Sequence, residues 1–253
     1  MSRRRFYAPR EGTGERAPGE RVTLSAEESR HLRDVLRLRT GEEAYAFDGE
    51  GHEYLCEVVE AARGGAVLEV RGRVGPPRPE SPLELTLAVA LLKGEKFDLV
   101  VQKATELGVS RVVPVTSARA DVRPRDASDR TRRAARWQRL ALEAAKQSGR
   151  ARVPAVSEPV EFSSLVTSGA GGLRLFFSER DGTPLAEALV STHAAHASAT
   201  ALVGPEGGWE TEEITRAREA GWLIVTLGGR TLRAETAAIT VCVLLQHLCG
   251  DLR

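Results

Sequence analysis

Apolar and polar positions alternate over short stretches along the first 73 residues. RRRFYA, RVTLS, EEAYAFDG, HEYLCEVVEA and AVLEVRGRV are rich in β-formers, and glycine-containing breaks such as DGEGH and RGG separate them, which predicts short strands. One segment departs from this pattern. In SAEESRHLRDVLR the residues His31, Leu32, Val35 and Leu36 recur at helical spacing, and Ser25 with Glu28 three residues later makes a capping box. Several short strands and one helix predict a small barrel. VGPPRPESP (74–82) then carries four prolines and reads as a stiff linker, so the domain boundary is placed there.

From residue 83 the period changes. LELTLAVALL is a near-continuous apolar run, as expected of a strand buried on both faces. EKFDLVVQKATEL is an amphipathic helix ended by Gly108, and RVVPVT is the next strand. Residues 126–147 form a long helix with Trp137, Leu140, Ala141, Ala144 and Ala145 on one side. Strands at LRLFFS, ATALVG and WLIVTLG alternate with helices at TPLAEALV, TEEITRAREA and AETAAITVCVLLQHL. Strand–helix alternation of this kind predicts an α/β domain with a mostly parallel sheet. STHAAHASA (191–199) reads as a loose connection, and the chain carries no internal repeat.

Composition narrows the class. The chain has 253 residues, 42% hydrophobic and 28% charged, enough for a real core and too apolar for a disordered chain. Its apolar runs fall short of the ~20 residues that span a bilayer, and the basic start MSRRRFYAPR leads into no apolar segment, so neither a membrane span nor a secretory signal is expected. Three cysteines, Cys56, Cys242 and Cys249, form no C-x-x-C pair and fit a reducing cytoplasm. Net charge is only +1. Of 36 basic residues 32 are arginine; a GC-rich genome accounts for the bulk of that bias, but not for its local clusters. Arg132, Arg133, Arg136 and Arg139 read as a solvated helix face.

Familiar catalytic patterns are missing. The sequence contains no G-x-x-x-x-G-K-[ST], no G-x-S-x-G, and no Ser/His/Asp set that can be singled out. EGTGER (11–16) has no strand before it and no helix after it, so it reads as a turn. His193 and His196 are three apart, but no Cys or carboxylate joins them; a surface pair is favoured over a metal site, and no metal is expected. Cys242 and Cys249 read as core residues of the last helix.

Two glycine-rich loops, each directly after a buried strand, carry the chemistry. ALVGPEGGWETEEI (201–214) places Gly204, Gly207 and Gly208 between strand and helix, where backbone N–H groups can approach a ligand outside the carboxyl end of a sheet. VTLGGRTLRAETAAIT (225–240) places Arg230, Arg233 and Glu235 between Gly228-Gly229 and an apolar helix. Arginine opposes the positive end of the helix dipole, so its presence there points to an anionic partner.

LVGPEGG (202–208) followed by LGGRTLRAETA (227–237) resembles the C-terminal half of the SPOUT, or trefoil-knot, RNA methyltransferases, and most closely the RsmE family of bacterial 16S rRNA (uracil N3) methyltransferases. KGEKFDLVVQKATELGVSRVVPV (93–115), AAKQSGRARVP (144–154), HLRDVLR (31–37) and the basic-aromatic start Arg4-Arg5-Phe6 resemble further elements of that family, in the same order along nearly the whole chain. The resemblance implies a PUA-like RNA-binding β-barrel domain (1–73), the linker (74–82), and a SPOUT methyltransferase domain (83–253) whose last helix threads a knot, a rare arrangement. It implies a cytoplasmic homodimer that binds S-adenosylmethionine and acts on 16S rRNA in the small ribosomal subunit. The cofactor would be held by Phe177, Ser178 and Glu179; by Val203, Gly204, Pro205, Glu206, Gly207 and Gly208; and by Leu227, Gly228, Arg230, Leu232 and Arg233. Arg233 and Glu235 are the expected catalytic residues: Arg233 to stabilise the uracil anion, and Glu235 either to take the N3 proton or, the favoured role, to orient Arg233. Phosphate contacts are expected from Arg4, Arg5, Arg37, Lys93, Lys96, Arg119 and Arg150. The sequence departs from the family in one place. Where the family carries Ser or Thr two residues after GPEGG, this chain has Glu210, and Thr211 becomes the expected helix cap.

Three other readings compete: a methyltransferase for tRNA or another rRNA position, an RNA-binding assembly protein without turnover, and a small-molecule enzyme. The intact glycine loops favour an enzyme, and the strand-rich N-terminal module favours RNA.

Overall fold

The computed structural model describes residues 3–10, 12, 14–62, 64–168, 171–191 and 197–252. His193, His196 and parts of EGTGER, namely Glu11 and Thr13, lie outside them. The chain divides into two units, Met1–Glu80 with Ala145–Val153, and Ser81–Ala144 with Pro154–Arg253. Residues 145–153, which the sequence assigned to the second domain, thus group with the first.

In the first unit, strands β1 (Arg5–Tyr7), β2 (Arg21–Thr23), β3 (Glu43–Phe47), β4 (Glu53–Ala62) and β5 (Gly65–Val74) form one sheet in the order β1-β3-β4-β5-β2. Only the β1–β3 pair is parallel. Alternation decides which side is buried: Tyr54, Cys56 and Val58 of β4 and Ala66, Leu68 and Val70 of β5 face the core, together with Phe6, Leu24, Leu32 and Leu38.

The helix predicted at 25–37 is shorter and of mixed type. Helix α1 (Ala26–Arg30) runs directly into a π-helical turn, His31–Val35, and Arg37 follows at φ 54°. Ser25 Oγ accepts from the Glu28 N–H at 3.2 Å as expected, but the Glu28 carboxylate binds Lys146 Nζ at 2.7 Å. The π turn also carries Val35 out of the predicted apolar stripe, to 66% exposure.

Two arginines expected at RNA prove to be internal struts. Arg5, buried against Glu53, donates to its carboxylate at 3.0 and 2.8 Å and to the Arg150 carbonyl at 2.8 Å, and lies 4.6 Å over the Phe47 ring. Arg150, equally buried, grips Glu80 at 3.0 and 2.7 Å, and Glu80 also accepts from the Arg152 N–H at 2.9 Å. Both guanidinium groups are enclosed by their partners, so neither is open to a phosphate.

The second unit holds β6 (Glu84–Ala90), helix α2 (Lys96–Glu106), β7 (Arg111–Thr116), helix α3 (Ala127–Ser148, whose last turn belongs to the first unit), β8 (Ala155–Val156), β9 (Val160–Glu161) and helix α4 (Phe162–Thr167). β10 (Leu173–Phe177), β11 (Thr183–Pro184), helix α5 (Leu185–Ser191), β12 (Ser198–Val203), helix α6 (Thr211–Glu219), β13 (Leu223–Thr226) and helix α7 (Ala234–Cys249) follow. The sheet is parallel throughout, in the order β11-β13-β10-β12-β6-β7-β8, with β9 beside β7. α2 ends as expected: Gly108 takes φ 81°, and the N–H groups of Gly108 and Val109 return to the carbonyls of Thr105 and Ala104. α3 packs by Trp137, which lies 4.4 Å from Phe97 and donates to Asp98 at 3.0 Å. Its basic face is solvated and carboxylate-paired: Arg132 and Arg133 bind Asp129, and Arg136 binds Asp98. Burial pushes the thiols of Cys56 and Cys242 up to about 11 and about 12, so neither is a nucleophile at neutral pH.

Removing one member of a buried pair strands the other charge. Glu53→Ala is expected to destabilise the first unit by about 3–5 kcal/mol, read from its urea unfolding transition; a loss under about 1 kcal/mol would show that the pair contributes little.

Candidate functional site

The site is a product of register. Phe177 at the end of β10 pairs with Val203 at the end of β12 on one side and with Val225 of β13 on the other. Three neighbouring parallel strands therefore end at one level, and the loops that leave them lie side by side. Residues 177–179, 203–209 and 226–232 enclose a cavity of about 300 Å³, completed by Ala234 and Ala237 of α7. That is at the lower end of the roughly 300–1,000 Å³ typical of small-molecule sites.

Trp209 fixes the middle loop. Its ring is buried 4.6 Å from Phe176 and 5.5 Å from Phe162, and its Nε1–H donates to the Phe177 carbonyl at 2.9 Å. The indole crosses directly over Gly204, where a Cβ would lie 2.8 Å from Nε1. Gly208 has φ 68°, and a Cβ there would meet Glu179 Oε1 at 2.5 Å. Arg180 straps the outside, donating to Glu179 at 3.2 Å and to the Trp209 carbonyl at 3.1 Å. On the far side Gly228 and Gly229 both take φ 70°, and the Gly228 N–H reaches Thr226 Oγ1 at 3.1 Å.

α6 begins one residue earlier than expected. Glu210, not Thr211, is the N-cap, and its backbone N–H donates to Glu213 at 3.0 Å. The other oxygen of Glu213 accepts from the Ala118 N–H at 3.0 Å, which anchors the helix start to the segment after β7.

One ion cluster draws together three distant segments. Lys96 at the start of α2 binds Glu206 of the middle loop at 2.9 Å and lies 3.8 Å from Glu235 in the first turn of α7. Burial alone would push Glu206 up; the Lys96 ammonium and backbone N–H groups outweigh it and hold the carboxyl below the ordinary glutamate value. The buried Oε2 of Glu235 has no hydrogen-bond partner, and Lys96 is the cation nearest to supply one. Glu235, expected to orient Arg233 directly, thus faces Lys96, and Lys96, expected at a phosphate, is held between two carboxylates.

Every residue expected to hold the cofactor lines this cavity except Arg233. Arg233 is the N-cap of α7, is exposed, and makes no ion pair among the described residues. Trp209, Thr226, Gly229, Thr231, Ala234 and Ala237 line the cavity beyond the residues named above for the cofactor. Trp209 left no signal of its own; the departure from the family pattern after GPEGG falls one residue later, at Glu210. The remaining phosphate candidates are surface groups. Arg4 pairs with Glu42 at 3.1 Å, Lys93 with Asp121 at 2.8 Å, and Arg119 lies 3.9 Å from Glu210; Arg37 is exposed. Among the described residues no group of three or more His, Cys, Asp or Glu could hold a metal ion.

Glycine loops at the carboxyl edge of a parallel sheet, preceded by a small β unit, agree with the layout that the resemblance to RNA methyltransferases implies. Residues 79–246 match the RNA methyltransferase domain family and residues 24–71 the RNA methyltransferase PUA domain. The ribosomal RNA small subunit methyltransferase E of Synechocystis is 35% identical over 85% of this chain and 69% of its own length. A Legionella pneumophila protein solved with the bound cofactor SAM superposes with a TM-score of 0.87 at 31% identity, each chain fully covered. The ribosomal RNA small subunit methyltransferase E of Neisseria gonorrhoeae, bound to S-adenosyl methionine, gives 0.86 at 33% identity, again with full coverage of both. The chain belongs to the RsmE family of RNA methyltransferases.

Trp209→Phe keeps the ring packing but leaves the Phe177 carbonyl without its donor. It is expected to cost about 1–3 kcal/mol in thermal or urea unfolding. The Lys96–Glu206 pair contributes fully above the ordinary glutamate range, and its contribution fades as pH falls through the lower folded value. Lys96→Met should therefore lose stability at neutral pH and show a shallower acid limb than the parent chain. An acid limb of unchanged slope would contradict the pairing.

Proposed function

We propose that the chain transfers the methyl group of S-adenosylmethionine to N3 of a uridine in 16S rRNA of the small ribosomal subunit, and that it works as a cytoplasmic homodimer. The observation that carries the cofactor is the cavity enclosed by residues 177–179, 203–209 and 226–232. Its chemistry fits. Val203, Leu227, Leu232, Ala234 and Ala237 offer an apolar lining for a purine, and the loop backbones offer polar groups at close approach. Family membership and the SAM-bound relatives support the same reading. The trefoil threading of α7 belongs to the proposal as well.

When bound, S-adenosylmethionine supplies a methyl group activated by its sulfonium. The residues of the chain must deal with uracil. N3 carries a proton at neutral pH, and its loss spreads negative charge onto the flanking carbonyl oxygens. Arg233, exposed and without an ion pair among the described residues at the positive end of α7, is the group to stabilise that charge. Glu235 acts indirectly: through Lys96 it ties the first turn of α7, and so Arg233, to the loop that carries Glu206. The rest of catalysis is positioning. Arg4, Arg37, Lys93 and Arg119 remain as phosphate contacts, while Arg5, Arg150 and Lys96 are committed to internal pairs.

A second copy of the chain is supported by α7. Ile239, Val243 and Leu244 are only half-buried, Leu248 is exposed, and so is Leu99 of α2, the helix packed against α7. Among the described residues no helix is long and apolar enough to cross a membrane. The unpaired cysteines support a reducing compartment.

Small subunits or rRNA from a strain lacking this gene, incubated with the protein and labelled S-adenosylmethionine, are expected to yield label in 3-methyluridine by nucleoside mass spectrometry. Label in another nucleoside would overturn the position but keep the methyltransferase. Arg233→Ala should lower turnover by roughly 10²–10³-fold while cofactor affinity stays near that of the parent; normal turnover would remove Arg233 from the mechanism.

A further inference from the structure

One joint of the ion cluster beside the cavity is firm and the other is open. Glu206 is tied to the start of α2 twice, by the Lys96 ammonium at 2.9 Å and by the backbone N–H of Lys93. Glu235 is held less closely. Its Oε2 lies 3.8 Å from Lys96 Nζ, just beyond hydrogen-bond reach, and although buried it has no hydrogen-bond partner. A buried carboxylate oxygen without a donor is unfavourable, and each such atom in a folded protein calls for a reason. A donor is at hand. An ammonium carries three N–H groups, and Lys96 hydrogen-bonds Glu206 through one of them.

The two carboxylates belong to two walls of the cavity. Glu206 is part of the middle loop, and Glu235 lies in the turn of α7 whose Ala234 and Ala237 face the cavity. Lys96 and Glu235 are themselves absent from the lining, so a ligand in the cavity touches neither side chain. Lys96 therefore links the two walls from outside the ligand's reach. Arg233 caps the same turn of α7.

We propose that Lys96 is a positioning residue whose second hydrogen bond, to Glu235, forms when the cavity fills. A cofactor that touches both the middle loop and α7 draws these walls together. Glu206 and the start of α2 move as one piece, the ammonium comes to bridge both carboxylates, and the first turn of α7 is fixed with Arg233 at its head. The inference rests on the S-adenosylmethionine reading above and deepens it with an order of events: the cofactor sets the arginine before RNA meets it. Coupling of this kind is reciprocal, so the contact that closes on filling also raises cofactor affinity, although neither Lys96 nor Glu235 touches the cofactor.

The test titrates S-adenosylhomocysteine, which fills the site without turnover, into the parent chain, Lys96→Met, Glu235→Met and the double variant, by isothermal calorimetry. Glu235→Met discards an acceptor that has no donor, so its Tm without ligand should stay near that of the parent. Its affinity for S-adenosylhomocysteine should nevertheless fall by at least roughly 5-fold, the lower end of coupling between sites. The double variant should bind no more weakly than Lys96→Met alone, because both changes remove one interaction. Hydrogen exchange gives a readout that a merely structural role would not move. S-adenosylhomocysteine should slow exchange in the first turn of α7 several-fold in the parent and far less in Glu235→Met, while residues 203–209 are slowed in both. Parent-like affinity in Glu235→Met, or additive losses in the double variant, would overturn the proposal. A parent chain that does not bind S-adenosylhomocysteine would overturn the cofactor reading instead.

Discussion

The parallel register of β12, β10 and β13 is the constraint on which the rest depends. With Phe177 set opposite Val203 and Val225, three loops from distant parts of the chain must emerge together. A shift of one residue in either pairing would turn inward-facing side chains outward and separate the loops. Trp209 secures the arrangement from the side, because its indole joins the loop of one strand to the last carbonyl of the next. The glycines of GPEGG follow from this. Gly204 leaves room for the indole, and Gly208 turns the chain past Glu179.

Electrostatics then finishes what packing begins. Lys96, Glu206 and Glu235 come from a helix start, a strand-end loop and the first turn of the last helix. Holding one ammonium between two carboxylates fixes the mutual position of three segments that share no backbone hydrogen-bond ladder. The guanidinium of Arg233, without an ion pair among the described residues, stands two residues before Glu235. The cluster thus keeps one net negative charge on one side of the helix start, while the Arg233 guanidinium puts a positive charge on the other.

The sequence made the strand–helix alternation plain because buried parallel strands are apolar runs and the helices between them have an apolar stripe. It did not disclose β8, β9 and β11, of two residues each, or the six-residue α4, since such short elements have no period to read. At 31–37 the spacing of His31, Leu32, Val35 and Leu36 matched an α-helix, yet the π turn adds a residue and puts Val35 outside. The cavity lining was legible because each glycine loop is contiguous and follows a buried strand. The partners of charged residues were not. Arg5 and Arg150 resemble surface arginines in the sequence, and only the fold brings Glu53 and Glu80 to them. Glu235 was paired with its sequence neighbour Arg233 for the same reason, while its actual counter-charge lies far upstream.

The return of residues 145–153 to the first unit bears on how the protein is made. Arg5 bonds the Arg150 carbonyl, Glu28 binds Lys146, and Glu80 waits for Arg150, so strands finished early in synthesis lack part of their interior until residue 153 has left the ribosome. The N-terminal unit is therefore not the independent first product that a vectorial order of folding would suggest. By then β6, α2, β7 and most of α3 have also emerged, and the two units complete themselves in overlap. A gene cut at the proline-rich segment would divide the sequence neatly and the structure badly, leaving Glu80 in one fragment and its arginine in the other.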